Sequence, residues 1–140
     1  MASQLKVDTI TGVTTAGSIA VTGEGNSTTT NLQQGLVKSW INFNGVGTIS
    51  NRGSFNVSSL TDGGTGTYAI VFSAVMSSAN TTSLGGMGVH DGGAYVTGPY
   101  VDNDATPITT TTLNIDAMAP NTLSNTDGAH IYIQTFGDLA

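Results

Sequence analysis

Residues 39–76, SWINFNGVGTISNRGSFNVSSLTDGGTGTYAIVFSAVM, decide the fold of this chain. Short runs with an apolar residue at every second position are separated by Asn-Gly, Asp-Gly-Gly and Gly-Thr-Gly, and charged residues are almost absent. Alternation with a period of two is typical of a half-buried β-strand, and these glycine-containing groups favour tight turns. The stretch therefore predicts a compact antiparallel β domain.

The strand around Trp40 sets the first face of the core. An extended backbone points alternate side chains to opposite sides, so Val37, Ser39, Ile41 and Phe43 share one face. The best hairpin pattern in the chain joins residues 54–58 to residues 67–72 through TDGGTG. Further strands are predicted at residues 83–89, 94–97, 109–115 and 130–136. No helix longer than a single turn, near residues 77–80, is expected.

Length and composition restrict the architecture. A chain of 140 residues suits one domain with one core. Charged residues make up 9% of it, well below the share of about 25% that is typical. Disorder is not favoured, because the chain is rich in Val, Ile and Thr. The spacing of short strands and turns predicts an all-β antiparallel sandwich, jelly-roll-like, with an extended N-terminal arm.

The N-terminal third is predicted to form that arm. Residues 5–10 and 18–22 are short strand-like runs joined by polar, glycine-containing loops, and a lone hairpin of this kind is marginal in water. We therefore divide the chain into an arm, residues 1–34, for anchoring and oligomerisation, and a displayed domain, residues 35–140. The residues expected to anchor the arm or to line a subunit interface are apolar or aromatic: Leu5, Val7, Ile10, Ile19, Val21 and Trp40.

Net charge argues against several classes of partner. The chain has a formal net charge of −6 and only three cations, Lys6, Lys38 and Arg52. Too few cations are present to neutralise several phosphates, so no nucleic-acid partner is expected. An anionic membrane surface is disfavoured for the same reason, and no apolar run approaches the roughly 20 residues that span a bilayer. The absence of cysteine excludes disulfides and thiolate chemistry.

Three motifs resemble chemical sites, and each has a simpler structural interpretation. His90 and Asp91 are adjacent and would point to opposite faces of a strand, so a turn after a strand is the better interpretation. The pair Asp102 and Asp104 lacks the glycine and distal glutamate of a calcium loop. No lysine follows residues 63–66, so this glycine-rich segment is a hairpin turn rather than a phosphate loop. We expect no cofactor and no metal.

Enzyme activity is not expected. A polysaccharide depolymerase is the enzyme class considered, and it would need two carboxylates held about 5–10 Å apart. No glutamate follows Glu24, and the aspartates lie mainly in turn sequences. A binding function is the stronger alternative, because rings can stack on a sugar. That platform would have to come from Trp40, Tyr95, Tyr100 or Tyr132, although packing is the preferred interpretation of Trp40.

A host-glycan site is therefore kept as an alternative function. It would use the loops at residues 90–104 and 116–128, with contacts from Tyr95, Tyr100, Asp102 and Asp104. His130 belongs to a different setting, because His130, Tyr132 and Gln134 share one strand face while Ile131, Ile133 and Thr135 occupy the other. We interpret that polar face as an outer surface or a subunit contact.

Several motifs together resemble small virion proteins of tailed bacteriophages, especially marine ones, described as tail-fibre-like or capsid-surface proteins. These motifs are LKVDTI at residues 5–10, WINFNG at 40–45, SFNVSS at 54–59, Thr61-Asp62 and Gly-Thr-Gly at 64–66. The similarity covers roughly residues 1–76. It implies a structural virion component, such as a capsid decoration protein, head fibre or tail fibre. It also implies a homotrimer that contacts other virion proteins, is assembled in the host cytoplasm, and has no catalytic residues.

Overall fold

A computed structural model describes residues 4–12, 19–23, 28–88, 100–101, 108–119 and 124–140. The predicted strand at residues 94–97 lies outside these ranges. The chain consists of two compact units, Met1–Leu36 and Val37–Ala140, and most contacts between residues lie within one unit or the other.

The first unit contains one small hairpin. Strand β1 (Ala20–Thr22) pairs antiparallel with β2 (Thr29–Asn31), with Val21 opposite Thr30. The hairpin continues into a single helical turn, α1 (Leu32–Gly35), whose first amide donates to the carbonyl of Ile19 over 2.8 Å. Residues 4–12 form no strand, although their alternation is strand-like. A strand needs a neighbour to pair its backbone groups, and this segment has none within the described part of its unit.

The second unit is an antiparallel β-sandwich. Its strands are β3 (Val37–Asn44), β4 (Ser50–Phe55), β5 (Val57–Gly64), β6 (Thr67–Phe72), β7 (Thr82–Gly88), β8 (Tyr100–Val101), β9 (Thr112–Asp116) and β10 (His130–Phe136). Sheet I has the order β4-β3-β10-β7 and sheet II the order β5-β6-β9-β8. The predicted all-β sandwich is confirmed. The jelly-roll-like connection is not confirmed. Consecutive strands lie side by side in the same sheet, β3 with β4 and β5 with β6.

The core lies between the two sheets. Sheet I contributes alternate residues of β3 and β10, and sheet II contributes alternate residues of β6 and β9. The rings of Phe43 and Tyr68 meet edge to face across the core, with centroids 5.0 Å apart. The predicted inward face of β3 is confirmed at Ser39, Ile41 and Phe43, which are buried. The buried apolar residues are Ile41, Phe43, Tyr68, Ile70, Phe72, Met76, Leu113, Ile115, Ala117, Ile131 and Ile133.

Asn56 is the point where the chain passes from sheet I to sheet II. The sequence predicts one strand over residues 54–58, but β4 ends at Phe55 and β5 begins at Val57. Between them Asn56 adopts a φ of 56°, which asparagine tolerates better than most residues. Its side-chain amide donates to the carbonyls of Lys38 and Ala74 over 3.0 and 3.1 Å, which fixes the crossing.

The β5–β6 hairpin is tighter than the sequence suggests. Strand β5 runs through Gly64, so that only Thr65 and Gly66 of the TDGGTG sequence form the turn. Gly64 and Gly66 have φ values of 122° and 70°, which residues with a side chain rarely adopt. The sequence allows at most a single helical turn near residues 77–80, and none forms there. That segment contains bends, and the helical turn lies at Leu32–Gly35 instead.

Candidate functional site

The first unit exposes several large apolar side chains. Leu5 is 80% exposed, and Val7, Ile10 and Val21 are more than half exposed. Ile19 is partly buried and binds the helical turn through its carbonyl. We call Leu5, Val7 and Ile10 the N-terminal apolar stripe. Leu5 and Val7 are two positions apart, so an extended backbone would direct both to one side.

The outer side of sheet I carries a second candidate surface, which we call the aromatic face. Trp40 on β3 lies opposite Phe55 on β4 and Gln134 on β10. Two residues further along β3, Asn42 lies opposite Gly53 on β4 and Tyr132 on β10. The side chains of Trp40, Phe55 and Tyr132 are 42%, 52% and 44% exposed. The aromatic face consists of Trp40, Asn42, Gly53, Phe55, His130, Tyr132 and Gln134.

The indole of Trp40 extends over the neighbouring strand at Gly53. A Cβ atom built on Gly53 would lie 3.5 Å from both Cζ3 and Cη2 of Trp40. The six-membered ring therefore occupies the space above β4 that a side chain at position 53 would otherwise fill. The contact at Gly53 is made by the edge of the ring, at Cζ3 and Cη2, and a substantial part of the residue remains open to solvent.

A second ring pair lies at the start of β10. The rings of His130 and Tyr132 are nearly parallel, with centroids 6.2 Å apart and an interplanar angle of 11°. Nη1 of Arg52 lies 2.9 Å from Nδ1 of His130 and also donates to the carbonyl of Ala129. Because a guanidinium nitrogen can only donate, Nδ1 of His130 accepts and its proton lies on Nε2. Arg52 thus holds the imidazole beside Tyr132.

A buried network fixes the segment that leads into β10. The phenol of Tyr68 donates to Oδ1 of Asp127 over 3.0 Å, and the amide of Gly66 donates to the same oxygen over 2.7 Å. The amide of Gly45 donates to the carbonyl of Gly128 over 2.8 Å. Burial of the phenol, and then the Asp127 carboxylate, raise the pKa of Tyr68 well above its ordinary value, so Tyr68 is a neutral donor.

A half-open pocket of about 260 Å³ lies along the edge strands β4 and β5. Its apolar wall consists of Ile49, Val57 and Leu60, which also pack against the core. Asn51, Ser58 and Ser59 complete the lining. These residues offer apolar contact and hydrogen bonds, but none of them can act as an acid or base near neutral pH.

The structure describes only one of the four predicted glycan contacts, Tyr100, so that prediction is not tested. Tyr95, Asp102 and Asp104 lie outside the described residues, as do His90 and Asp91. The backbone of Tyr100 begins β8 opposite Asp116. Asp116 itself accepts hydrogen bonds from Thr67 and Asn125, over 3.0 and 3.3 Å, and therefore serves the structure of sheet II.

Two sequence-predicted residues do share one surface. Trp40 and Tyr132 both belong to the aromatic face, although they are separated by 92 positions in the chain. Sequence reasoning missed Gly53 and Phe55 as members of this surface, and it missed Arg52 as the partner of His130. An alternation pattern shows which side chains share a strand face, but it does not show which strands are neighbours.

The fold and the exposed surfaces define a β-sandwich protein with a short N-terminal hairpin unit. Among the described residues, no group of three or more His, Cys, Asp or Glu side chains could hold a metal ion. No helix in the described part of the chain has the length and apolarity needed to cross a membrane. We find no match to this chain among protein-family models, curated proteins or solved structures.

Proposed function

We propose that the protein is a structural component on the surface of a bacteriophage particle. It is assembled in the host cytoplasm as a homotrimer, residues 1–34 anchor it to other virion proteins, and residues 35–140 are displayed. The observation that carries the proposal is the N-terminal apolar stripe, whose members Leu5, Val7 and Ile10 are 80%, 53% and 55% exposed. The similarity of residues 1–76 to small phage virion proteins supplies the setting.

The stripe favours association because water-exposed apolar side chains gain free energy when they are covered. Burying a fully exposed Leu, Val or Ile side chain contributes roughly 1.5–3 kcal/mol. Residues 4–12 form no strand of their own, so their backbone groups are free to pair with the edge of another sheet. Such a pairing would cover apolar side chains on one side and satisfy backbone donors and acceptors at the same time.

The composition of the displayed unit suits close repetition. Only 9% of the residues are charged, and the surface depends on hydroxyl and amide groups for solubility. The low share of charged residues limits the repulsion between neighbouring copies, each of which carries a formal net charge of −6. The two-sheet core buries residues from four different strands, so the displayed unit has its own hydrophobic core. A surface component of a particle is expected to combine a folded displayed unit with a segment that binds another protein.

The test compares two triple variants by native mass spectrometry and by particle incorporation. Leu5→Ser, Val7→Ser and Ile10→Ser together remove the stripe. The control replaces the intervening residues, Lys6→Ser, Asp8→Ser and Thr9→Ser, which leaves net charge unchanged because one cation and one anion are lost. We expect the first variant, and a chain lacking residues 1–34, to fail to enter particles while the control enters normally.

The two measurements separate anchoring from trimer formation. A trimer that persists without residues 1–34, combined with lost incorporation, would assign the arm to the particle contact alone. Loss of both would assign it to subunit association as well. Normal incorporation of the stripe variant and of the truncated chain would overturn the anchoring role. A monomer in every sample, free and on the particle, would overturn the trimer.

A further inference from the structure

The aromatic face of sheet I has the features of a stacking site. The indole of Trp40 lies over Gly53 with its six-membered ring 3.5 Å from the position of an added Cβ. This contact supports the edge of the ring on β4, and the residue is 42% exposed, so part of the indole is available to a ligand. Sugars bind such rings through the apolar C–H side of the hexose, and rigid rings lose little entropy on binding.

A second ring lies within reach of the first. Tyr132 is offset by two positions from Gln134, the residue opposite Trp40, so the two rings are diagonal neighbours on adjacent strands. Diagonal neighbours in an antiparallel sheet have Cβ atoms about 7–8 Å apart or somewhat less. That separation suits neighbouring rings of one oligosaccharide. Tyr132 is itself held parallel to His130, at a centroid distance of 6.2 Å.

Sheet I is free of acidic residues. None of the nine acidic residues of the chain lies in β3, β4, β7 or β10, whereas two of its three cations, Lys38 and Arg52, do. A calcium-dependent ligand would need carboxylates on the protein, and so would a basic peptide. The strands of sheet I carry no carboxylate. Arg52 already donates to Ala129 and to His130, which reduces its capacity to recruit an anion. The charge pattern therefore favours a neutral ligand.

The polar members of the face favour a hydroxyl-rich ligand over a second copy of the chain. None of the described outward side chains of β10 is aliphatic. The same holds for β3 from Trp40 onward and for β4 from Gly53 onward. Gln134 is exposed, and Oδ1 of Asn42 accepts no hydrogen bond within the described residues. Turning this amide toward a bound hydroxyl would satisfy an acceptor that is otherwise costly to leave unpaired.

From these observations we propose that the aromatic face binds a neutral polysaccharide, with hexose rings stacked on Trp40 and Tyr132 and hydrogen-bonded to Asn42 and Gln134, without a bound cation. None of these four residues belongs to the segments at residues 90–104 and 116–128. The site does not depend on the proposed particle role, because a sandwich displayed in any other setting would keep the same face.

Trp40 provides the measurement, since it is the only tryptophan in the chain. Cellohexaose, maltohexaose, mannohexaose and chitohexaose are titrated into the full chain while tryptophan emission is followed, with and without EDTA. We expect at least one of them to change the emission saturably, with no effect of EDTA. Tyr132→Ala should weaken that binding at least fivefold. Val75→Ala, which trims a 41% exposed side chain outside the sheets, should leave it unchanged.

A glycine pair tests the platform itself. At Gly53 an alanine Cβ would make an ordinary contact with the indole, and this glycine does not have a positive φ, so Gly53→Ala should bind normally. Gly53→Leu should lift the indole from the sheet and abolish binding, with an unchanged thermal midpoint as evidence of folding. No response to any of the four sugars would overturn the proposal. Emission that changes with protein concentration but not with sugar would overturn it in favour of a subunit contact.

Discussion

The phenol of Tyr68 donates a hydrogen bond to the carboxylate of Asp127 over 3.0 Å, and this bond joins β6 of sheet II to the segment that leads into β10 of sheet I. The same carboxylate oxygen accepts from the amide of Gly66 in the β5–β6 turn. One acidic side chain therefore fastens a hairpin turn and the start of a strand to each other. The strand that follows this segment, β10, carries His130, Tyr132 and Gln134 of the aromatic face.

Removing the phenol should destabilise the sandwich. Tyr68→Phe keeps the edge-to-face contact with Phe43 but deletes the donor to Asp127. Losing a hydrogen bond to a charged group costs about 1.5–3 kcal/mol, so we expect thermal unfolding several degrees lower. Tyr132→Phe removes an exposed hydroxyl and serves as the control, with a midpoint within about 1 °C of the parent. Equal midpoints for the two variants would contradict a structural role for the bond.

Tyr68 should also make the protein sensitive to alkali. Burial, and then the Asp127 carboxylate, raise its pKa in the folded state above the ordinary value of about 10. A group whose pKa is raised by folding adds to the free energy of unfolding. This addition is complete at pH values below the pKa in the unfolded state, and it is lost as the pH rises to the pKa in the folded state. We therefore expect stability to fall above about pH 10, and to fall less steeply in Tyr68→Phe.

The same ionisation can be observed directly. The chain has four tyrosines, and we expect Tyr68 to stay neutral near pH 11 while the protein is folded. Tyrosinate absorbance of the folded parent should then equal that of folded Tyr68→Phe, and only the parent should gain an additional ionised tyrosine when denaturant unfolds both proteins. A parent that shows the additional tyrosinate while still folded would contradict the raised pKa.

Replacing Asn56 by alanine should destabilise the protein more than replacing it by glycine. Its φ of 56° is unfavourable for alanine by about 1–2 kcal/mol and costs glycine little. Both variants lose the side-chain bonds to Lys38 and Ala74. We expect thermal midpoints in the order parent, Asn56→Gly, Asn56→Ala. Identical midpoints for the two variants would mean that backbone conformation contributes nothing at the crossing between sheets.

Thr81 offers a stabilising substitution. Its Oγ1 is buried and makes no hydrogen bond within the described residues, whereas its methyl group lies close to Gly137. Thr81→Val keeps the shape and removes the unpaired hydroxyl, which should stabilise the protein by about 1 kcal/mol, or roughly 3 °C in thermal midpoint. Thr81→Ser keeps the hydroxyl and loses the methyl group, so it should not be stabilised. A lower midpoint for the valine variant would contradict this account.

Local patterns in the sequence determine much of the fold. The sequence patterns identify β3, β6, β9 and β10, and alternation assigns the two faces of β3 and β10, because an extended backbone alternates faces whatever its neighbours are. The hairpin between β5 and β6 follows from its glycines in the same way. The exposed alternation of Leu5 and Val7 is also visible in the sequence, and its role in anchoring stays a proposal.

Tertiary structure alone decided which strands are neighbours. Trp40 and Gln134 are opposite each other because β3 pairs with β10, and residues this far apart in the chain carry no local signal of their pairing. The break at Asn56 follows from a crossing between two sheets, which an uninterrupted strand pattern conceals. The sequence determined the central strands and the faces of β3 and β10, since alternation depends on adjacent residues. The assembled sheets determined the aromatic face, because pairing between distant strands brings its residues together.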